Sequence, residues 1–239
     1  MEKNRIDRFI QKYNLNGNAE QVTWNFKDKS LTTKFIIDDK SLLGTVSMQN
    51  VDFDNMDIGV YDTAQLQKLL NVLSDDINLD VVRAGDKAVS LKVKNNKLSV
   101  NFNLSDLSII PAPPTMKHIP DFGTHIELNK EFVDAFIRGK NALADTETFT
   151  LVNGRNGLEV IIGYAAINTN RVNIPVTTTK NNLEEHISFN ADLFKEVLVA
   201  NKECTSAVLE ISNEGLARVN FKVDDYDATY YIVAAQELE

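Results

Sequence analysis

The sequence predicts an α+β protein of two similar domains, each with two helices packed on antiparallel β-sheets. Three observations carry that prediction. One order of elements (helix, four strands, helix, three strands) runs through residues 2–104 and again through residues 129–235. The second helices of the two halves align at a constant spacing of 128 residues, Asp62 with Asn190, Leu69 with Val197 and Leu70 with Leu198. Between the halves lie four of the five prolines, Pro111, Pro113, Pro114 and Pro120. Proline lacks a ladder N–H and favours extended backbone, so this stretch reads as a stiff connector. The expected divisions are an N-terminal domain at 1–106, a connector at 107–124 and a C-terminal domain at 125–239.

The elements follow from spacing. Ile6, Phe9, Ile10 and Tyr13 share one helical face, predicting a helix over 2–15. Alternating segments predict strands near 20–26, 31–37, 43–49 and 57–61, with turns at Asp28-Lys29 and Asp38-Asp39-Lys40. Asp62-Thr63-Ala64-Gln65 is a capping box, and Leu66, Leu69, Leu70 and Leu73 supply the stripe of the helix it starts. Strands are expected near 77–83, 87–93 and 97–104. In the second half, Phe132, Val133, Phe136 and Ile137 mark a helix over 129–143, followed by strands near 147–153, 157–163, 170–177 and 186–189. Asn190 caps a helix carrying Leu193, Phe194, Val197 and Leu198, and strands near 206–212, 216–223 and 228–235 follow. Pro175 is the one proline outside the connector, and it marks 170–177 as an edge strand.

Composition narrows the function. The 239 residues are 43% hydrophobic and 25% charged, as in a soluble globular protein, and the net charge of −9 argues against a surface coated in nucleic acid. Cys204 is the single cysteine, so no intrachain disulfide forms and a reducing cytoplasm is the expected setting. The first residues do not read as a secretory signal, and no apolar run approaches the ~20 residues that span a bilayer. Charge is nevertheless segregated by element. Across the four predicted helices there are ten basic and seven acidic residues, a net of +3 in an acidic chain. Arg5, Arg8, Lys12, Lys68, Arg138 and Lys195 fall away from the apolar stripes, with Lys140 and Lys202 near helix ends.

No catalytic constellation emerges. His118, His125 and His186 have no partner at metal-ligand spacing. Asp52, Asp54 and Asp57 imitate a calcium loop, but Met56 and Asp57 stand where it needs an oxygen ligand and a glycine. Asp224, Asp225 and Asp227 read as an acidic turn, and Gly154-Arg155-Asn156-Gly157 as a hairpin. Trp24, Tyr230 and Tyr231 read as core and strand residues, and Cys204 lacks a nucleophile context. Neither an enzyme activity, a metal nor a cofactor is expected.

In this order of elements the chain resembles the DNA polymerase sliding clamps, most closely those of tailed phages. The features that carry the resemblance are the N-terminal helix, the stretch DFDNMDIGVYDTAQLQKLLNVLSDD (52–76), the proline-rich connector, and the closing hairpin DDYDATYYIVAA (224–235). The resemblance implies the DNA clamp fold and a ring of three chains around duplex DNA. It implies that the helices line the hole with Arg5, Arg8, Lys12, Lys68, Arg138, Lys140, Lys195 and Lys202 towards the phosphates. It also implies a DNA polymerase and an ATP-dependent clamp loader as partners and, in the phage branch, factors of late transcription in a bacterial host cell. Carried over by position, a partner peptide would dock on Ile109, Ile110, Met116, Ile232, Ala234 and Leu238. The ring joint would set residues 98–104 of one chain beside 170–177 of the next, with Val100, Phe102, Val172 and Ile174 in contact. The competing reading is a two-domain structural or virion-assembly protein, rich in β-structure, with no DNA role.

Overall fold

The computed structural model describes residues 1–74, 76–155, 157–165, 167 and 169–235. The chain divides into two compact units. Unit 1 comprises Met1–Pro114 with Asp224–Ala228, and unit 2 comprises Thr115–Val223 with the residues from Thr229 onward.

Unit 1 runs α1 (Lys3–Asn14), β1 (Val22–Lys27), β2 (Ser30–Ile36), β3 (Leu42–Gln49), β4 (Met56–Val60), α2 (Thr63–Leu70), β5 (Asn78–Ala84), β6 (Lys87–Lys94) and β7 (Ser99–Asn103). Its strands lie in the orders β3-β2-β1-β4 and β5-β6-β7, all antiparallel. Ile6, Phe9, Ile10 and Tyr13 of α1 are fully buried, as the spacing required. Tyr13 and Trp24 pack edge to face, and the Trp24 indole N–H donates to the Tyr13 hydroxyl at 3.3 Å. Asp62 caps α2 by accepting the Gln65 N–H at 2.7 Å, while the Ala64 N–H donates to Glu20 at 2.8 Å.

Unit 2 runs β8 (Thr124–Asn129), α3 (Lys130–Ala142), β9 (Thr148–Gly154), β10 (Gly157–Ile162), β11 (Val172–Pro175), β12 (Thr178–Lys180), β13 (Ile187–Asn190), α4 (Ala191–Ala200), β14 (Ser206–Ser212), β15 (Leu216–Val223) and β16 (Tyr226–Val233). The first residues of β16 are counted with unit 1. The sheet orders are β12-β8-β14-β15-β16 and β11-β10-β9-β13. Asn190 caps α4 through the Leu193 N–H at 2.9 Å. Phe136, Phe149 and Phe194 form the core, with the Phe136 and Phe194 rings 4.9 Å apart.

The order of elements departs from the sequence reading at two points. A strand, β8, precedes α3, and the strand expected at 170–177 is the shorter β11, followed by a further strand, β12, in another sheet. Pro175 pairs opposite Glu159 but has no N–H to extend that ladder, and the Thr177 carbonyl instead accepts the Glu127 N–H of β8 at 2.9 Å. The duplication itself is close. Thr63 and Ala191 open α2 and α4, and Asn78–Ala84 and Ser206–Ser212 form β5 and β14, both at the spacing of 128.

One glycine is fixed by packing. Gly44 on β3 pairs with Phe35 on β2, and a Cβ there would land in the Phe35 ring. Phe35 is buried and cannot swing out. Gly44→Ala is therefore expected to lower unfolding free energy by about 1–3 kcal/mol, read from the urea midpoint.

Candidate nucleic-acid interface

Within unit 1, α1 packs on α2; within unit 2, α3 packs on α4. The basic residues expected on these helices have four distinct environments.

Arg5 and Arg8 are held by the turn between β15 and β16. Arg5 pairs with Asp225 and donates to the Gln49 carbonyl at 2.6 Å. Arg8 donates through both terminal nitrogens to Asp224, each at 3.0 Å. The Arg8 guanidinium also lies 4.6 Å from the centre of the Tyr226 ring, whose hydroxyl donates to the Arg5 carbonyl at 2.9 Å. Burial pushes the Tyr226 phenol up to about 12 against the pull of Arg8, so it stays a neutral donor at physiological pH. The acidic turn thus has a concrete task that the sequence reading did not assign to it. Its acids and Tyr226 were visible, but not their position against α1.

Lys12 and Lys140 depart from expectation, because both are buried, at 1% and 2% exposure. Lys12 extends its stem along the buried side of α1, with its ammonium 5.5 Å from the Tyr226 ring centre. Lys140 donates to the Ala144 carbonyl at 2.7 Å and pairs with Asp192 at 2.9 Å. It ties the C-terminal turn of α3 to the first turn of α4. Lys140→Ala is expected to destabilise the fold by roughly 1.5–3 kcal/mol through loss of a charge-assisted bond, seen as a lower melting temperature.

Lys68, Arg138 and Lys202 are exposed, and Lys195 is half-buried beside Glu196 at 3.3 Å. Arg138 donates to the Asp134 carbonyl at 3.2 Å. Lys130 pairs with Asp134 at 2.8 Å, and that bond holds the Asp134 carboxyl below its usual range. On the fully exposed positions of the four helices, Lys68, Lys130 and Arg138 are matched by Glu131, Asp134 and Asp192. The basic excess read from the sequence therefore lies largely in intrachain pairs, not in open positive surface.

Of the expected docking residues, Ile109 is 57% exposed, Met116 and Ala234 are half-exposed, and Ile110 and Ile232 are buried; Leu238 lies outside the described residues. They are divided between the two units. Of the expected joint residues, Phe102 and Ile174 are buried, while Val100 and Val172 are half-exposed. Their strands, β7 and β11, are each at the edge of a sheet. Val172 also packs against α3 beside Gly139.

Among the described residues, no three or more His, Cys, Asp or Glu side chains are arranged to hold a metal ion. The Cys204 thiol donates to the Ser206 carbonyl at 3.1 Å, and a ring nitrogen of His125 lies 3.2 Å from the Phe122 carbonyl. No helix among them is long and apolar enough to cross a membrane.

No protein-family model and no curated protein matches the sequence. Solved structures do match its fold along the whole chain. The proliferating cellular nuclear antigen (PCNA) of Entamoeba histolytica is similar with a TM-score of 0.76 at 15% identity, over 99% of this chain and 97% of that one. A. fulgidus PCNA, solved with the C-terminal region of FEN-1 bound, is similar with a TM-score of 0.73 at 14% identity, over 100% and 98%. At such identities the likeness defines the fold. The chain has the α+β DNA clamp fold, with two similar domains of two helices and antiparallel sheets each.

Proposed function

We propose that this chain is a sliding clamp, three copies of which close into a ring around duplex DNA and tether a DNA polymerase. The observation that carries the reading is the likeness to two PCNA chains over nearly the full length of all three. Phosphate contacts by Lys and Arg carry no sequence information and exchange readily, which suits a ring that must move along any sequence. A closed ring is retained by topology, so a few exposed cations such as Lys68, Arg138 and Lys202 suffice, assisted by Lys195 and by Arg5 and Arg8 when these leave their carboxylates. Lys12 and Lys140 belong to the framework, since burial keeps them from phosphates.

An ATP-driven loader would open the ring at the joint between β7 and β11. A partner peptide would engage exposed apolar connector residues such as Ile109. The phage-like order of elements extends the proposal to a viral clamp that also serves late transcription inside a bacterium.

The test is retention on DNA of different topology. With a loader, the protein should stay on nicked circles and slide off the same DNA once it is linearised, and its mass by analytical ultracentrifugation should reach that of three chains. Equal retention on circles and on linear DNA with open ends would overturn the proposal.

A further inference from the structure

The two units follow one plan and differ where unit 2 adds β8 and β12. In unit 2, β8 lies between β12 and β14, and Thr124–Asn129 pairs antiparallel with Ser206–Ile211. At the spacing of 128, those β14 residues correspond to 78–83 of β5. β12 lies in sequence between β11 and β13, as residues 50–55 lie between β3 and β4. In unit 1, an open cavity of about 650 Å³ lies between the corresponding elements. One wall includes Asp52, Phe53 and Asp54 of the β3–β4 segment, and the other Leu79, Asp80 and Val81 of β5.

This cavity follows the edge of β5. Side chains alternate across a strand, so one face would present Leu79 and Val81 without Asp80 between them. The backbone agrees. Ile77 exchanges two bonds with Met1, each 2.8 Å, which orients its N–H and C=O towards the N-terminus of the chain. The twofold alternation then aims the N–H and C=O of Leu79 and Val81 to that same side, away from β6. Among the described residues, only the bridge between Glu2 and Asp76 extends along this edge. Side-chain burial shows the same contrast. Leu209 under β8 is fully buried, whereas Val81 at the equivalent position is half-exposed.

We infer that the free edge of β5 is a docking site for an extended segment of a protein partner, which joins antiparallel as an added strand. An open edge gives backbone affinity, and alternate side chains give specificity. The model for the occupant is β8 itself, whose Ile126 and Leu128 are buried while the alternate residues His125 and Glu127 are half-exposed. The charge requirement is opposite to that of β8. Asp52, Asp54 and Asp80 outnumber Arg83 around the cavity, so the outward residues of the occupant are basic and the inward ones apolar, over Phe53, Leu79 and Val81. The site lies in unit 1 alone, so it stands whether or not the protein encircles DNA.

The probe is the peptide acetyl-Lys-Thr-Lys-Ile-Lys-Leu-Lys-amide, with a control carrying Glu at every Lys, each titrated into the full-length protein. Amide exchange at Leu79 and Val81 is expected to slow by about tenfold or more at saturation, with the Glu control binding about tenfold more weakly. Val81→Pro removes an N–H that belongs to no ladder, so the fold should tolerate it while peptide affinity drops about tenfold. Asp80→Lys should lower affinity similarly through charge. The inference is overturned if the peptide fails to bind, if exchange at Leu79 and Val81 is unchanged at saturation, or if folded Val81→Pro binds as well as the wild type.

Discussion

Replacing Lys68, Arg138 and Lys202 together by Glu is expected to reduce processive DNA synthesis by roughly tenfold or more while leaving the melting temperature nearly unchanged. The three side chains are exposed, so their removal costs the fold little. In a closed ring each substitution acts three times over, and it turns an exchangeable phosphate attraction into repulsion. The acidic turn supplies a control of opposite sign. Asp224→Asn with Asp225→Asn releases Arg5 and Arg8 from their carboxylates and should lengthen retention on nicked circles, with a steeper dependence on salt. Extension of a primed circle in a single encounter is the measurement. A well-folded triple variant with unchanged product length would remove these residues from the DNA-facing set.

The second large effect is expected at the ring joint. β7 and β11 are sheet-edge strands, and Asn101 and Asn173 on them are exposed. In a Cys204→Ser background, Asn101→Cys with Asn173→Cys, or a pair shifted by a residue or two, should oxidise to a covalent trimer. Loaded on a nicked circle before oxidation, that trimer should withstand about 1 M salt, where exposed charges are screened within ~3 Å, and should leave when the disulfide is reduced or the circle cut. Wild-type rings, which can still open at the joint, should leave the same circles faster than the crosslinked ones. Phe102 and Ile174 are already buried within the chain, so the joint would rest on backbone pairing and on Val100 and Val172, less apolar than the sequence suggests. If every such pair yields only monomers while the protein still loads, the joint lies elsewhere.

Periodicity and caps made both helix pairs legible, because Ile6, Phe9, Ile10 and Tyr13, or Leu193, Phe194, Val197 and Leu198, each mark one buried face. β8 was harder to read. Thr124–Asn129 alternates, but it follows the prolines directly, so its pattern merges with that of the connector. β12 has three residues and therefore no pattern to detect. The candidate site was less legible than the fold for a physical reason. Helical spacing locates a charge on a helix but is blind to what meets it from a distant segment. Lys12 fell off the apolar stripe and is buried all the same, and Lys140 at a helix end is buried by its bond to Asp192.

The Arg5–Asp225 pair joins residues 220 positions apart, and the carboxylates against α1 come from a turn made long after that helix. On a ribosome, α1 emerges long before Asp224–Ala228, which complete its unit. Contacts of such high sequence separation form late and slow the search for the native state. During that interval the nascent first half presents an unfinished surface that invites misassembly and chaperone capture. Its folding is thus tied to translation of the distal hairpin, so a pause in elongation just before codon 224 should increase aggregation, whereas an equal pause before α1 has emerged should not.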